Sequence, residues 1–379
     1  MESADLHTGL LEEWDLLITF LPANWRELAA ETGALKGLRK DKSVEKLLRV
    51  LLLHLGCGYS LQETAVRARQ AQLAELTAAA VWQRLRKARD WLRALCRELF
   101  REAGVDVASD RSFQVRALDA TTVKEPGRTG SLWRLHYSVR LPSLACDFFR
   151  LTATKGVGMG ESFRQFPVQE GDYLLAGRGY STAKGLLHVE CAGGRATVRV
   201  NASSLPMRTP ENEPFDLLAK VKGLRHAGMI GSWPVQVVAK AGGAVTGRAG
   251  AVHKTQEAIR IAHKALRRQA SKRGTQLHPQ TLEFAKYVIL FTTFPTQAFP
   301  AASVLEWYRS RWQVQPVFQR FKSLAQLGHL PKRDDESARA WLYGKLLVAL
   351  LVEKLIRHAS AISPWGYPLE SAPAAQRLA

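Results

Sequence analysis

The 379-residue chain reads as an α/β protein, and two changes of pattern say so. Apolar residues recur at helical spacing from Leu10 to about Glu102, and from Ser112 the period shortens toward two, with helices and strands mixed thereafter. In the helical part, Val44, Leu47, Leu48, Val50, Leu51 and Leu52 mark one buried face. Ser60-Leu61-Gln62-Glu63 opens the next helix with a serine cap and a glutamate three positions on. A further helix from about Thr77 runs through Val81, Leu85, Ala88, Trp91 and Leu92, and carries Arg84, Arg86, Lys87, Arg89, Arg93, Arg97 and Arg101. The pair could form a helix-turn-helix whose second helix brings residues such as Arg84 and Lys87 to DNA, although a helix pair by itself favours the plainer reading. A helical scaffold with a solvated basic face is the plainer alternative.

Strands are expected at 113–118, 132–140 and 147–154, and the short apolar run Tyr173-Leu174-Leu175-Ala176 ends at a glycine-rich turn. Between Leu217 and Thr275 the chain carries twelve Lys or Arg against a single acid, Glu257. That asymmetry persists over two strand-like stretches and a helix, which predicts a DNA-facing surface.

Over the whole chain 54 Lys and Arg face 34 Asp and Glu, a net charge of +20 that marks a polyanion binder. Double-stranded DNA is the expected partner. An apolar fraction of 46% suffices for a core, and no apolar run is long enough to span a membrane. Met1-Glu2-Ser3-Ala4-Asp5 is no secretory leader, so a cytoplasmic protein is expected. Cys57, Cys96, Cys146 and Cys191 lack the paired spacing of a zinc site or disulfide framework. No phosphate-cradling glycine loop or nucleophile elbow supports nucleotide hydrolysis or acyl transfer.

Three segments carry the chemistry. They are Leu118-Asp119-Ala120-Thr121-Thr122, Leu174-Leu175-Ala176-Gly177-Arg178-Gly179-Tyr180, and the set Tyr308, Arg311, Gln315 and Lys322. The last four are separated by three, four and seven residues, which at about 100° per residue places them on one helical stripe. Tyr, Arg and Lys in such a row suit the phosphates of a DNA end. Pro316 within the stripe removes a hydrogen bond to the Trp312 carbonyl and predicts a kink costing about 3 kcal/mol or more.

In order and spacing these segments resemble the fourth insertion-sequence family of DDE transposases, the Tn-five-like group, with the likeness extending from about Ser60 to about Ser363. The resemblance implies an RNase-H-like core with a β-rich insertion domain and an N-terminal helical domain. The boundaries expected are 1–108 for the helical DNA-binding domain, 109–194 and 287–363 for the two parts of the core, 195–286 for the insertion, and 364–379 for a tail. Asp119 would end the central strand, and position 177 a neighbouring one. Arg178 and Tyr180 belong to the second motif, and Trp233 falls where related transposases hold an aromatic that stacks on a flipped base. A core tryptophan in a Trp-Pro-Val strand is the competing reading of Trp233.

The family holds two Mg²⁺ or Mn²⁺ ions on three carboxylates. Here Gly177 stands where the family's second Asp belongs and Gln315 where its Glu belongs, leaving Asp119. One carboxylate does not hold two metals stably, so a DNA-binding protein with impaired cleavage and strand transfer is expected. Asp172 lies five residues before Gly177, about 16 Å along a strand and on the opposite face, too far to substitute. Glu161 matches an acid found in the family and is the possible further metal ligand, although spacing alone does not bring it to position 177. Two alternatives stand beside this reading: an active transposase with an unconventional metal site, and an interaction module independent of DNA. The tail does not resemble the family's C-terminal region, which relatives use for dimer contacts, so a homodimer on DNA is a weaker expectation.

Overall fold

Hydroxyl caps start the N-terminal helices. In the computed structural model, which describes residues 14–38, 42–105, 113–124, 131–141, 146–156, 158–200, 205–239, 242–311 and 334–361, α1 spans Trp25–Glu31 and α2 spans Val44–Leu55. Ser43 caps α2 by accepting from the Lys46 N–H, Ser60 caps α3 (Leu61–Gln70) from Glu63, and Thr77 caps α4 (Ala78–Lys87) from Ala80. Each cap satisfies a donor that the helix start would otherwise leave orphaned. Val50, Ala65, Ala68, Leu73, Leu76 and Val81 close a small core among these three helices.

The single helix expected from Thr77 is interrupted at Ala88, and α5 runs Arg89–Val105. The interruption is slight, because the Ala88 N–H still bonds to the Arg84 carbonyl and the Leu92 N–H to that of Ala88. Trp91, Leu92, Leu95 and Cys96 of α5 are buried, and the Trp91 indole donates to the Trp25 carbonyl at 2.9 Å.

The chain divides into two compact units, the first of Met1–Ala108, Thr122–Trp133 and Val317–Ala379, the second of Ser109–Thr121 and Arg134–Pro316. The first gathers the N-terminal helices with the last described one, which runs Asp335–Ala361.

The second unit is built on a sheet. The strands of that sheet are β1 (Gln114–Lys124), β2 (Ser131–Arg140), β3 (Cys146–Ala153), β4 (Asp172–Ala176), β5 (Arg195–Arg199), β6 (Met207–Arg208), β7 (Ile230–Val238), β8 (Ala244–His253) and β9 (Tyr287–Thr292), with 122–124 of β1 and 131–133 of β2 counted in the first unit. They lie in the order β3-β2-β1-β4-β5-β9-β8-β7-β6. β4 runs parallel to β1 and to β5, and from β5 onward the pairings are antiparallel. Leu174, Leu175 and Ala176 of β4 are fully buried, as an apolar run in a central parallel strand requires. Between the strands lie α6 (Ala183–Cys191), α7 (Leu217–Lys222), α8 (Gln256–Arg273) and α9 (Pro279–Phe284), and α10 (Ala301–Ser310) follows β9. Strands β6, β7 and β8 of the basic segment continue the same sheet through β9, and β5 at its start pairs with β4.

Near the start of β1, a buried ionic network ties the sheet together. Arg116 on β1 pairs through Nε with Asp147 at 2.8 Å and through Nη1 with Asp172 at 3.0 Å. Its Nη2 donates to the Ser138 hydroxyl at 3.0 Å. Asp172 therefore serves this network, as its distance from position 177 in sequence requires.

Candidate active site

Register brings the first two motifs together. Leu118 of β1 lies opposite Ala176 of β4, so the next residues, Asp119 and Gly177, emerge side by side. β4 stops at Ala176 and the chain turns through a 3₁₀ helix at Arg178–Tyr180, while β1 runs on to Lys124. Asp119 thus lies within β1 rather than at its end, because β1 outlasts the partner strand that stops beside it.

The backbone does not demand glycine at 177. Its φ of −75° and ψ of −175° are open to any residue. A Cβ built there would meet one neighbour among the described residues, the Arg311 Nη1 at 3.8 Å. The same nitrogen lies 3.9 Å from the Asp119 Oδ2. Arg311 follows the end of α10, its side chain is 11% exposed, and its guanidinium lies 5.4 Å from the centre of the buried Tyr308 ring. Tyr308 and Arg311 therefore reach this place together, beside Asp119 and the end of β4. Gln315, Pro316 and Lys322, the rest of the expected stripe, lie outside the described residues.

Glu161 also reaches this place, which its spacing did not predict. A Cβ at Gly179 would collide with the Glu161 carboxylate, so the glycine leaves the room that this side chain fills. Burial raises the Glu161 carboxyl pKa, the charge of Asp119 raises it further, and Arg134 and Arg311 oppose both. Tyr180 is fully buried against Phe163 and Phe166, and burial followed by the charges of Asp119 and Glu161 holds its hydroxyl well above the usual range. In this state Tyr180 belongs to the core, whereas Arg178 beside it is exposed.

A row of cations extends from the carboxylates. Arg199 at the end of β5 has its pKa lowered by burial first, then by Arg178, with Arg311 adding to the effect and Tyr308 opposing it. Lys254, which follows β8, is lowered to about 8 by burial, then by Arg199 and Arg178, and its ammonium donates to the Ala285 carbonyl at 2.5 Å. No motif of the sequence names Arg134, Arg199 or Lys254, since each comes from a different segment and only pairing unites them. The charge balance around Asp119 and Glu161 is cationic, which suits an anionic phosphate group.

The other expected contacts lie elsewhere. Trp233 on β7 is half-buried and packs against Phe215, with ring centroids 6.4 Å apart. On α4, Lys87 is exposed and donates to the Lys36 carbonyl at 3.2 Å, while Arg86 pairs with Glu336 and stacks over Trp82 at 4.8 Å. Arg84 is half-buried.

Comparison with known proteins places the chain in a family. The sequence profile of the family described as "Transposase DDE domain" matches residues 154–351, and the chain belongs to that family. It is 28% identical over 361 residues to the InsL protein of insertion sequence element IS186A from Escherichia coli (strain K12), covering 93% of this chain and 96% of that one. The transposase for insertion sequence element IS421 of Escherichia coli is 28% identical over 362 residues, with the same coverage. The transposase for IS231C of Bacillus thuringiensis subsp. berliner matches 97 residues at 27% identity, 26% of this chain and 20% of that one.

DDE transposases typically use Mg²⁺ or Mn²⁺. The described residues here do not fit a two-metal centre: position 177 offers no side chain, Arg311 stands against Asp119, and no group of three or more His, Cys, Asp or Glu among them could hold a metal ion. No helix of the described residues is long and apolar enough to cross a membrane.

Proposed function

We propose that this chain is a transposase-like protein of the Tn-five-like group that binds double-stranded DNA at terminal inverted repeats and is impaired in cleavage and strand transfer. The observation that carries the reading is the pairing that sets Asp119 within β1 beside Gly177 just past the end of β4, where a carboxylate, a bare backbone position and a guanidinium meet. Two-metal phosphodiester chemistry needs carboxylates from several elements, and a guanidinium can neutralise charge but cannot activate a metal-bound nucleophile.

The strand order β3-β2-β1-β4-β5, with β4 and β5 parallel to β1, supports reading the core as RNase-H-like, with 195–286 as its insertion and 1–108 as the helical DNA-binding domain. The turn between α3 and α4, closed by the Thr77 cap, supports the helix-turn-helix reading. A DNA-facing role for the insertion is supported by α8, where Arg260, Lys264, Arg267, Arg268 and Lys272 are exposed and Ile259 is the buried residue of the helix. A homodimer on DNA and a cytoplasmic location complete the proposal.

The approach of Glu161 to Asp119 favours a second reading, an active centre with an unconventional ligand set. Incubation of the pure protein with a terminal-repeat duplex and Mg²⁺ or Mn²⁺ separates the two. The proposal expects a gel shift without nicking. Site-specific nicking that Asp119→Ala and Glu161→Gln each abolish would establish the second reading instead, and failure of the wild type to bind any duplex would remove both.

A further inference from the structure

We propose that the Arg311 guanidinium occupies the cation seat between Asp119 and position 177, so that this centre carries its own fixed cation and excludes the divalent metals its family uses. The inference rests on the reading of Gly177 as the position of a lost acid, and goes beyond it. Loss of a ligand explains weak metal binding, whereas a filled seat predicts that restoring the ligand is not enough.

One atom carries the geometry. The Arg311 Nη1 lies 3.9 Å from the Asp119 carboxylate and 3.8 Å from the point where a side chain at 177 would begin. A cation bridging carboxylates at Asp119 and at position 177 would have to lie in the same gap. The guanidinium is held there from a third side by the buried Tyr308 ring, and with 11% of its side chain exposed it has little room to leave. Arg134 acts on Glu161 and Arg199 on Arg311, with Arg178 and Lys254 further along the same row, so further positive charge stands behind the seat. Glu161 does not reverse the balance, being opposed by Arg134 and Arg311. A planar fork of donors in such a seat also keeps nitrogens available for phosphate oxygens. The seat thus becomes an anion site by holding its cation covalently.

Binding of Mn²⁺ alone, read by electron paramagnetic resonance and calorimetry, tests the proposal on the full chain. The wild type should bind no site-specific Mn²⁺ and Gly177→Asp should bind it only weakly, whereas the double variant Gly177→Asp with Arg311→Gln should bind at least about tenfold more tightly than Gly177→Asp, because the fixed positive charge in the seat is removed. Equal affinity of the two variants, or no binding by a double variant that remains folded, overturns the proposal. A second measurement stands if the double variant does not fold: in chelator, Gly177→Asp should melt about 2–4 °C above Gly177→Asn, through its new pairing with Arg311. No difference between them would sink the filled seat as well. Wild-type Mn²⁺ binding that Asp119→Ala removes would overturn the seat while leaving DNA binding untouched, and a wild type that fails to shift DNA would overturn the functional reading whatever the Mn²⁺ result.

Discussion

Lys254 shows how one residue can set a pH response. Its pKa is lowered from 10.5 to about 8, chiefly by burial and then by Arg199 and Arg178. The unfolded chain therefore holds more protons than the folded one between these values, and this group's contribution to stability rises with pH across that window. Binding has the opposite sign. A phosphate beside Lys254 draws the ammonium back toward its ordinary pKa, so DNA affinity should fall as pH rises from about 7 to 9. Fluorescence anisotropy should show this slope for the wild type and a flatter one for Lys254→Met; parallel slopes would remove Lys254 from the DNA contact. Gly179 offers a steric test at the same scale. Gly179→Ala should destabilise by about 1–3 kcal/mol, and combining it with Glu161→Ala should cost less than the sum of the two, since the clash is with that side chain. Additive costs in denaturant titration would show that the two residues do not touch.

At the scale of elements, α8 and β1 make separate demands. α8 begins at the Thr255 cap, ends at Gly274 in the left-handed region with φ of 61°, and buries little besides Ile259. Its register turns Arg260, Lys264, Arg267, Arg268 and Lys272 toward one side, spaced to follow a phosphate backbone. Replacing Lys264, Arg267 and Arg268 by Glu should lower the slope of log affinity against log salt by about 0.9 for each phosphate no longer neutralised. An unchanged slope would make α8 a solvated helix and nothing more. β1 is held at its other end by Arg116, whose partners Asp147 and Asp172 have side chains 8% and 2% exposed. Arg116→Met strands two buried acids without their cation and should cost about 3–5 kcal/mol in chemical denaturation, far more than an exposed pair such as Arg260 with Glu257.

For the whole molecule, net charge and burial decide different things. A charge of +20 predicts that DNA binds the folded chain and raises its melting temperature, with the gain shrinking as salt rises. Mg²⁺ without DNA should leave the melting temperature where chelator leaves it, because the cation seat is already filled. The helical caps at Ser60 and the buried run of β4 were legible in the chain, since both depend on neighbours a few residues apart. So was the transposase family, through the order and spacing of the segments carrying Asp119, Gly177, Tyr308 and Arg311. Local chemistry and charge alone determined this much: an α/β chain, a strong excess of basic residues, and a transposase family. Tertiary structure decided the rest. Parallel pairing of β1 with β4 sets Asp119 beside Gly177, the turn at Gly179 admits Glu161, and the end of α10 delivers Arg311 to the gap. Residues 58 and 134 positions apart in sequence meet there only because strand register and helix placement bring them within a few ångströms, and no periodicity along a chain encodes which distant cation will stand beside Asp119.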